Sequence, residues 1–270
     1  MKAARRFVVL TIPRTGSNYL CSLLNAHPQV LCHHEVWNAS GIFCALDLRS
    51  RSAHYFGTVE ERDREPLAFL ERLWNRSFGR PVVGLKFCRG QNRAAFEALL
   101  ADPAVRKIVM RRRNRVKTYV SEMIAQLTGE WESYPGSRLA GERIKIPVPA
   151  AGLFRHVEHN ATYYDDVERR LARSGQAAVR LDYEDLCGDG RGRREALRAV
   201  FDFLEVDAGV AAAGLDAPRD TAAGDGTAAP AGATRKQNPS DLRQLIANFH
   251  ELAAALRGSE LEAELHAVDL

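Results

Sequence analysis

The sequence is sparing with cysteine: five residues, Cys21, Cys32, Cys44, Cys88 and Cys187, are scattered with no C-x-x-C pair. An odd, unpatterned set argues against a disulfide scaffold and predicts reduced thiols. Long apolar runs are missing too. The longest near the start, Phe7 to Ile12, falls far short of the roughly 20 residues that span a bilayer. It breaks at Pro13-Arg14 with no small-residue cleavage pattern, so it reads as a first strand and predicts a cytoplasmic protein. Net charge is small: 38 basic against 34 acidic residues leave +4. That balance does not suit a protein coating a long polyanion. The nucleotide motif G-x-x-x-x-G-K-[ST] is also absent, which removes the lysine and metal-holding hydroxyl expected of a Mg·ATP site. What remains, 46% hydrophobic and 27% charged, is the composition of a globular domain with a full core.

Within that composition, short apolar runs alternate with amphipathic stretches. Strands are predicted at Phe7 to Ile12, Val82 to Phe87, Lys107 to Met110 and Ala178 to Leu181. Helices are predicted over Ser17 to Asn25, Arg93 to Leu100, Arg115 to Leu127, Gly152 to Ser174 and from Ser240 onward, where Ser240 caps the free amides. Strands alternating with helices imply a parallel sheet covered on both faces, an α/β fold forming one domain over residues 1–270. Asp207 to Ala233 departs from the pattern, with 11 Ala and 5 Gly among 27 residues, and predicts a mobile loop.

Two segments carry chemistry. In FVVLTIPRTGSNYL an apolar strand meets a turn holding Arg14, Thr15, Gly16 and Ser17, then a helix that starts at Ser17-Asn18. Unpaired amides at a helix start, a glycine allowing close approach and an adjacent arginine suit an anion such as phosphate. The second lies after the strand at Lys107 to Met110, where seven cations and no acid fall between Arg106 and Lys117. Ligands of open α/β sheets bind at that edge. A solvated helix face and a nucleic-acid footprint are the other readings of such a run, but it interleaves no aromatics, which favours a discrete phosphate site.

These residues resemble the sulfotransferases that use 3′-phosphoadenosine 5′-phosphosulfate (PAPS). PRTGSNYL is similar to their 5′-phosphosulfate loop. RRRNRVKTYVS is similar to their 3′-phosphate motif, an arginine followed eight positions on by a serine, here Arg113 and Ser121. Arg235-Lys236 in TRKQNPSDL is similar to the loop that closes over the nucleotide, and LCHHEVWN resembles the bacterial branch that sulfates sugars or glycolipids.

The resemblance implies a three-layer fold around a P-loop-like parallel sheet, with PAPS as co-substrate and adenosine 3′,5′-bisphosphate as product. It implies Arg14, Thr15, Gly16, Ser17 and Asn18 at the 5′ end, Arg113 and Ser121 at the 3′ end, and Arg235 and Lys236 over the nucleotide. It further implies a sugar or glycolipid acceptor, with peripheral membrane contact in the glycolipid case, no nucleic-acid partner and no metal. The resemblance to the sugar-sulfating branch implies Glu35 as the first choice of base, with His34 and His33 as competitors because imidazole is the commonest general base. Cys32, His33 and His34 invite a metal reading, but adjacent side chains of an extended segment point oppositely and no second ligand pair follows. Lys86, ending an apolar strand, either snorkels to solvent or points into the anion site, and the family often carries lysine here. Tyr183-Glu184-Asp185-Leu186 is assigned to packing and loop fixing. Trp37, Tyr55, Trp131 and Tyr134 are candidates to stack on sugar faces, against the commoner role of filling a core. A nucleotide-dependent kinase and a polyanion-binding module remain the rival readings.

Overall fold

The computed structural model describes residues 4–132, 144–188, 190–209 and 238–268. Five parallel strands, β1 (Arg5–Thr11), β2 (Val30–His33), β3 (Val82–Cys88), β4 (Val105–Arg111) and β5 (Ala178–Asp182), form one sheet in the order β2-β3-β1-β4-β5. The central strand β1 owes its place to an unbroken apolar run. Val8 and Leu10 enter one core and Phe7 and Val9 the other, so neither face tolerates water. Gly84 on β3 is what lets Phe7 lie flat, since a Cβ there would come within 2.3 Å of the ring.

One face is covered by α4 (Pro66–Trp74), α5 (Arg93–Ala101) and α7 (Ala150–Ser174), whose Phe69, Leu99 and Val167 pack on Val8 and Leu85. The opposite face carries α1 (Ser17–Asn25), α8 (Tyr183–Cys187) and α9 (Gly190–Leu204), which bury Leu20, Leu186 and Phe201. Three short turns of helix, Leu46–Arg51, α2 (Ser52–Phe56) and α3 (Val59–Arg64), precede α4. A third core joins α6 (Arg115–Thr128) to α10 (Phe249–Leu256) and α11 (Leu261–His266) through Val116, Val120, Leu252 and Leu265.

Every strand and helix predicted up to Leu181 is present to within two residues at each end. The helix predicted from Ser240 is displaced. Asp241, not Ser240, accepts from the amide of Arg243 at 2.9 Å, and only a three-residue turn, Leu242–Gln244, follows. Ile246 then bridges to Ile146 in extended form before α10 begins at Phe249. The apolar stripe was real, but it serves the third core through two local geometries. β2, α9 and the helices between residues 46 and 74 were not anticipated. Of the loop predicted at Asp207 to Ala233, residues 210–233 lie outside the described residues.

Register decides where chemistry can occur. Thr11 pairs with Cys88 and Leu10 with Val109, so the loops after β1, β3 and β4 leave one edge of the sheet together. β2 and β3 lie to one side of β1 and β4 and β5 to the other, which makes this edge the switch point of the sheet.

Candidate active site

The loop after β1 is shaped by two residues in the left-handed region, Arg14 (φ 65°) and Gly16 (φ 78°). Gly16 has a second reason to be glycine: a Cβ would meet the Tyr183 ring at 2.2 Å. Gly16→Ala should therefore destabilise the fold by more than the roughly 1–2 kcal/mol of an αL alanine alone, measurable by urea titration. Tyr19 and Leu20 make the first helical bonds, both to the Gly16 carbonyl at 2.9 and 3.2 Å, so the amides of Ser17 and Asn18 precede the ladder and face the sheet edge. Thr15 behaves otherwise than its hydroxyl suggests. It is fully buried and bonds Thr11 Oγ1 at 2.7 Å and the Ile12 carbonyl at 3.1 Å, so only its backbone is placed to meet an anion.

The Arg14 side chain crosses to the next loops. Its Nε donates to Ser121 Oγ at 2.9 Å and its Nη1 to the Trp131 carbonyl at 2.6 Å. Arg112 donates from Nη1 to the Arg14 carbonyl at 3.2 Å while its guanidinium lies 4.6 Å over the Tyr183 ring. Burial, and then the charge of Arg112, pull the Arg14 guanidinium down to about 10. A cation so crowded gains from any anion that enters. Ser121 also accepts from Asn238 Nδ2 at 3.1 Å, which brings the chain just after Arg235-Lys236 to this spot. Arg235 and Lys236 themselves lie outside the described residues.

Asn18 ties this loop to a second cluster. Its Oδ1 accepts from Lys86 Nζ and from His34 Nδ1 at 3.2 Å, and its Nδ2 donates to Glu132 Oε1 at 3.0 Å. Lys86 Nζ also donates to Glu35 Oε1 at 2.7 Å, and Glu35 Oε2 accepts from Asn38 Nδ2 at 3.0 Å and Gln91 Nε2 at 3.2 Å. Lys86 is 2% exposed, so it points inward rather than snorkelling. Burial pushes the Glu35 carboxyl up, but the Lys86 ammonium and the bonds from Lys86 and Asn38 outweigh it and hold the carboxyl below its ordinary value. Burial likewise disfavours the Lys86 charge, and Glu35 more than restores it.

The two histidines are poor proton acceptors by comparison. His33 is fully buried, takes the Ala45 amide on Nδ1 at 3.3 Å, and is pushed down to about 3 by burial and Arg80. His34 is 1% exposed and lowered by burial, then by Lys86 and Arg49. Both are neutral in the folded chain at pH values where an unfolded histidine takes a proton. Their folded pKa values lie below the unfolded one, so the stability they contribute is complete above about pH 6.5 and is lost as pH falls. The expected slope is about 1.4 kcal/mol per pH unit for each such histidine. Urea midpoints at pH 7 and pH 5 check this.

Arg113 stands apart from the Arg14–Ser121 contact. Its Nη1 donates to Asp182 Oδ2 and Asp185 Oδ1, each at 3.0 Å, and its side chain is 56% exposed. At that exposure the guanidinium still faces outward beside its two carboxylate bonds. The predicted fixing role of the Tyr183 to Leu186 segment is visible here: Glu184 accepts from the amides of Arg113 at 2.9 Å and Asn114 at 3.2 Å. Of the aromatic candidates, Trp37 is core, with rings of Phe69 and Phe87 at 5.3 and 5.7 Å, and Tyr55 packs edge-on to Phe78 at 4.9 Å. Trp131 is 45% exposed beside Arg14, and Tyr134 lies outside the described residues. Asn38, Gln91, Glu132 and Arg112 are the site members that sequence reasoning missed. Arg112 was within reach as a neighbour of Arg113, while nothing local marks the others.

A parallel sheet with β1 at its centre, an anion loop on that strand and a cationic loop after the neighbouring β4 define an α/β fold suited to holding an anionic ligand at this edge. The chain is 28% identical over 261 residues to Nodulation protein H of Rhizobium meliloti (strain 1021), a match covering 91% of this chain and 89% of that protein. Sulfotransferase STF9 from Mycobacterium avium superposes with a TM-score of 0.47 and 13% identity, over 97% of this chain and 79% of that one. A sulfotransferase from Alicyclobacillus acidocaldarius gives 0.41 and 18%, over 99% and 98%. No family model matches the chain. No helix among the described residues is long and apolar enough to cross a membrane.

Proposed function

We propose that this protein transfers the sulfuryl group of PAPS to a hydroxyl of a carbohydrate or glycolipid, in the cytoplasm. One observation carries the reading: Asn18 links an anion-binding loop directly to a buried lysine–carboxylate pair. A transfer site needs that juxtaposition of a cradle for the leaving group and a base for the attacking hydroxyl.

The donor supplies an activated sulfuryl group on a phosphate leaving group. The amides of Gly16, Ser17 and Asn18 and the Arg14 guanidinium hold its 5′ end, and Arg113 and Ser121 its 3′-phosphate. Glu35 takes the proton of the acceptor hydroxyl as that oxygen bonds to sulfur. The bond from sulfur to the bridging oxygen breaks, and its electron pair stays with the phosphate. Arg14 and Lys86 stabilise the charge that collects there. Lys86 must share its ammonium between Glu35 and the donor, and drawing it from Glu35 raises the basicity of that carboxylate when a base is required.

Thermal shift with adenosine 3′,5′-bisphosphate, Mg·ATP and an oligonucleotide tests the donor. The bisphosphate at 100 times its Kd should stabilise the protein by about 2.7 kcal/mol. A response to Mg·ATP and none to the bisphosphate would return the kinase reading. Transfer of labelled sulfate from PAPS to a panel of sugars and glycolipids tests the acceptor.

A further inference from the structure

Three hydrogen bonds reach the Glu35 carboxylate from the described residues, and they are divided unequally between its oxygens. Oε2 accepts from Asn38 Nδ2 at 3.0 Å and Gln91 Nε2 at 3.2 Å, while Oε1 accepts from Lys86 Nζ alone at 2.7 Å. Each oxygen of an ionised carboxylate offers two lone pairs. Both positions on Oε2 are therefore filled, and one on Oε1 stays open beside the ammonium. The Cys88 thiol also bears on the carboxylate, but a thiol is a weak donor that yields to a hydroxyl. The Glu35 side chain is 25% exposed, so an acceptor hydroxyl can reach it.

The two amides cannot exchange their ends. Asn38 Oδ1 accepts from the Ser40 amide at 2.9 Å and Gln91 Oε1 from the Cys88 amide at 3.1 Å, so a backbone donor faces each oxygen and turns each NH2 toward Glu35. A flip would set donor against donor at one end and oxygen against carboxylate at the other. Their backbones are held too. Gln91 returns its own amide to the Cys88 carbonyl at 3.3 Å. Arg62, on α3 and 2% exposed, donates from Nη1 to the carbonyls of Val36, Asn38 and Gly41 at 2.9, 2.8 and 3.1 Å. Its Nε and Nη2 bind the Asp63 carboxylate at 2.7 and 3.0 Å. A buried guanidinium is costly to desolvate. Here it gathers a loop that lies outside the sheet, which keeps Asn38 against Oε2.

We propose that Asn38 and Gln91 are positioning residues that close Oε2 and direct the acceptor proton to Oε1. The inference rests on the reading of Glu35 as the base and adds to it the atom that accepts. The acceptor O–H bond breaks and its proton goes to Oε1. The electron pair of that bond forms the bond to sulfur, as the bridging S–O bond releases its pair to the phosphate. The proton thus lands on the oxygen that holds Lys86. Neutralising that oxygen loosens the ammonium at the moment the bridging oxygen gathers charge. A proton taken on Oε2 would leave Oε1 a carbonyl oxygen still able to hold Lys86.

The test is the pH profile of sulfuryl transfer from PAPS to N-acetylglucosamine, octyl glucoside and water, for wild type, Asn38→Leu and Gln91→Met. Each substitution removes a donor to the ionised carboxylate, so the base becomes stronger and the acid limb of kcat/KM moves to higher pH. The titratable and charged groups that face Glu35, namely Lys86, Cys88, His34, Glu132 and Arg14, are the same in all three proteins. On basicity alone the variants would be faster. With Oε2 opened, each should instead lose about tenfold or more in kcat. Affinity for adenosine 3′,5′-bisphosphate should stay within about twofold of wild type, which also shows that each has folded. The substitutions lie in different loops, so either alone suffices. A variant that keeps or gains kcat while its acid limb rises overturns the role of Oε1 alone, and so does one that loses the bisphosphate instead. An acid limb that neither variant moves overturns Glu35 as the base and the inference with it. A wild type that binds the bisphosphate but passes sulfate to none of the three acceptors overturns the transfer reading and the inference together.

Discussion

Replacing Glu35 with glutamine should lower turnover by about 10²–10⁴-fold while affinity for adenosine 3′,5′-bisphosphate stays within about threefold of wild type. The amide preserves the shape and can still accept from Lys86, so the cradle and its Asn18 link survive. What it loses is the ability to take a proton. The exchange also leaves the Lys86 ammonium, 2% exposed, without its counter-charge, and breaking a buried pair from one side costs about 3–5 kcal/mol. The double variant Glu35→Gln, Lys86→Met removes that burden. It should be more stable than Glu35→Gln and no more active. Single-turnover rates with the acceptor saturating, beside urea titrations of all three proteins, separate the chemical loss from the structural one. If Glu35→Gln and Arg113→Ala weaken the bisphosphate equally, Glu35 belongs to the nucleotide site and is not the base.

Arg14→Ala should be comparably inactive for a different reason, a loss of about 10²–10³ in rate together with weaker binding of the bisphosphate. Lysine is a poor substitute. Arg14 spends Nε on Ser121 and Nη1 on the Trp131 carbonyl, two directions set by one planar fork that a single ammonium cannot reproduce. The backbone adds a diagnostic contrast. With φ at 65°, Arg14 occupies a conformation that costs a residue with a side chain about 1–2 kcal/mol and glycine little. Arg14→Gly should therefore resist urea better than Arg14→Ala by about 1 kcal/mol and be equally inactive. Equal stability of the two would mean that the loop relaxes when the guanidinium is removed.

How much of this could be read from the chain depends on how local each signal was. β1 and α1 announce themselves because an apolar run, a turn and a helical stripe are contiguous. So did the anion loop, whose chemistry lies within five residues. β2 escaped notice because its four residues Val30–His33 are flanked by polar ones and are buried only by their neighbours in the sheet. Thr15 looked like a phosphate donor, but its environment turned the hydroxyl inward to Thr11. The Glu35 cluster was half legible. Glu35 and Lys86 were marked by position and by resemblance, whereas Asn38 and Gln91, which fix the second carboxylate oxygen, are ordinary loop amides until the sheet edge brings them together. Arg113 was marked as a phosphate ligand, and its three acidic neighbours, two of them 69 and 72 residues away, came to light only with the fold.

The third core has a consequence in time. Glu264, 149 residues beyond Arg115, accepts from the Arg115 amide at 2.5 Å and from Arg115 Nε at 2.7 Å, and its carbonyl accepts from Asn114 at 2.8 Å. The start of α6, which carries Ser121 into the site, is thus held by residues that the ribosome adds long after it. Sheet and anion loop can assemble during synthesis, because domains form from the N-terminus as they emerge. The wall formed by α6 cannot be fastened until α11 has been made. A growing chain would then be folded in its core before it is competent in its chemistry.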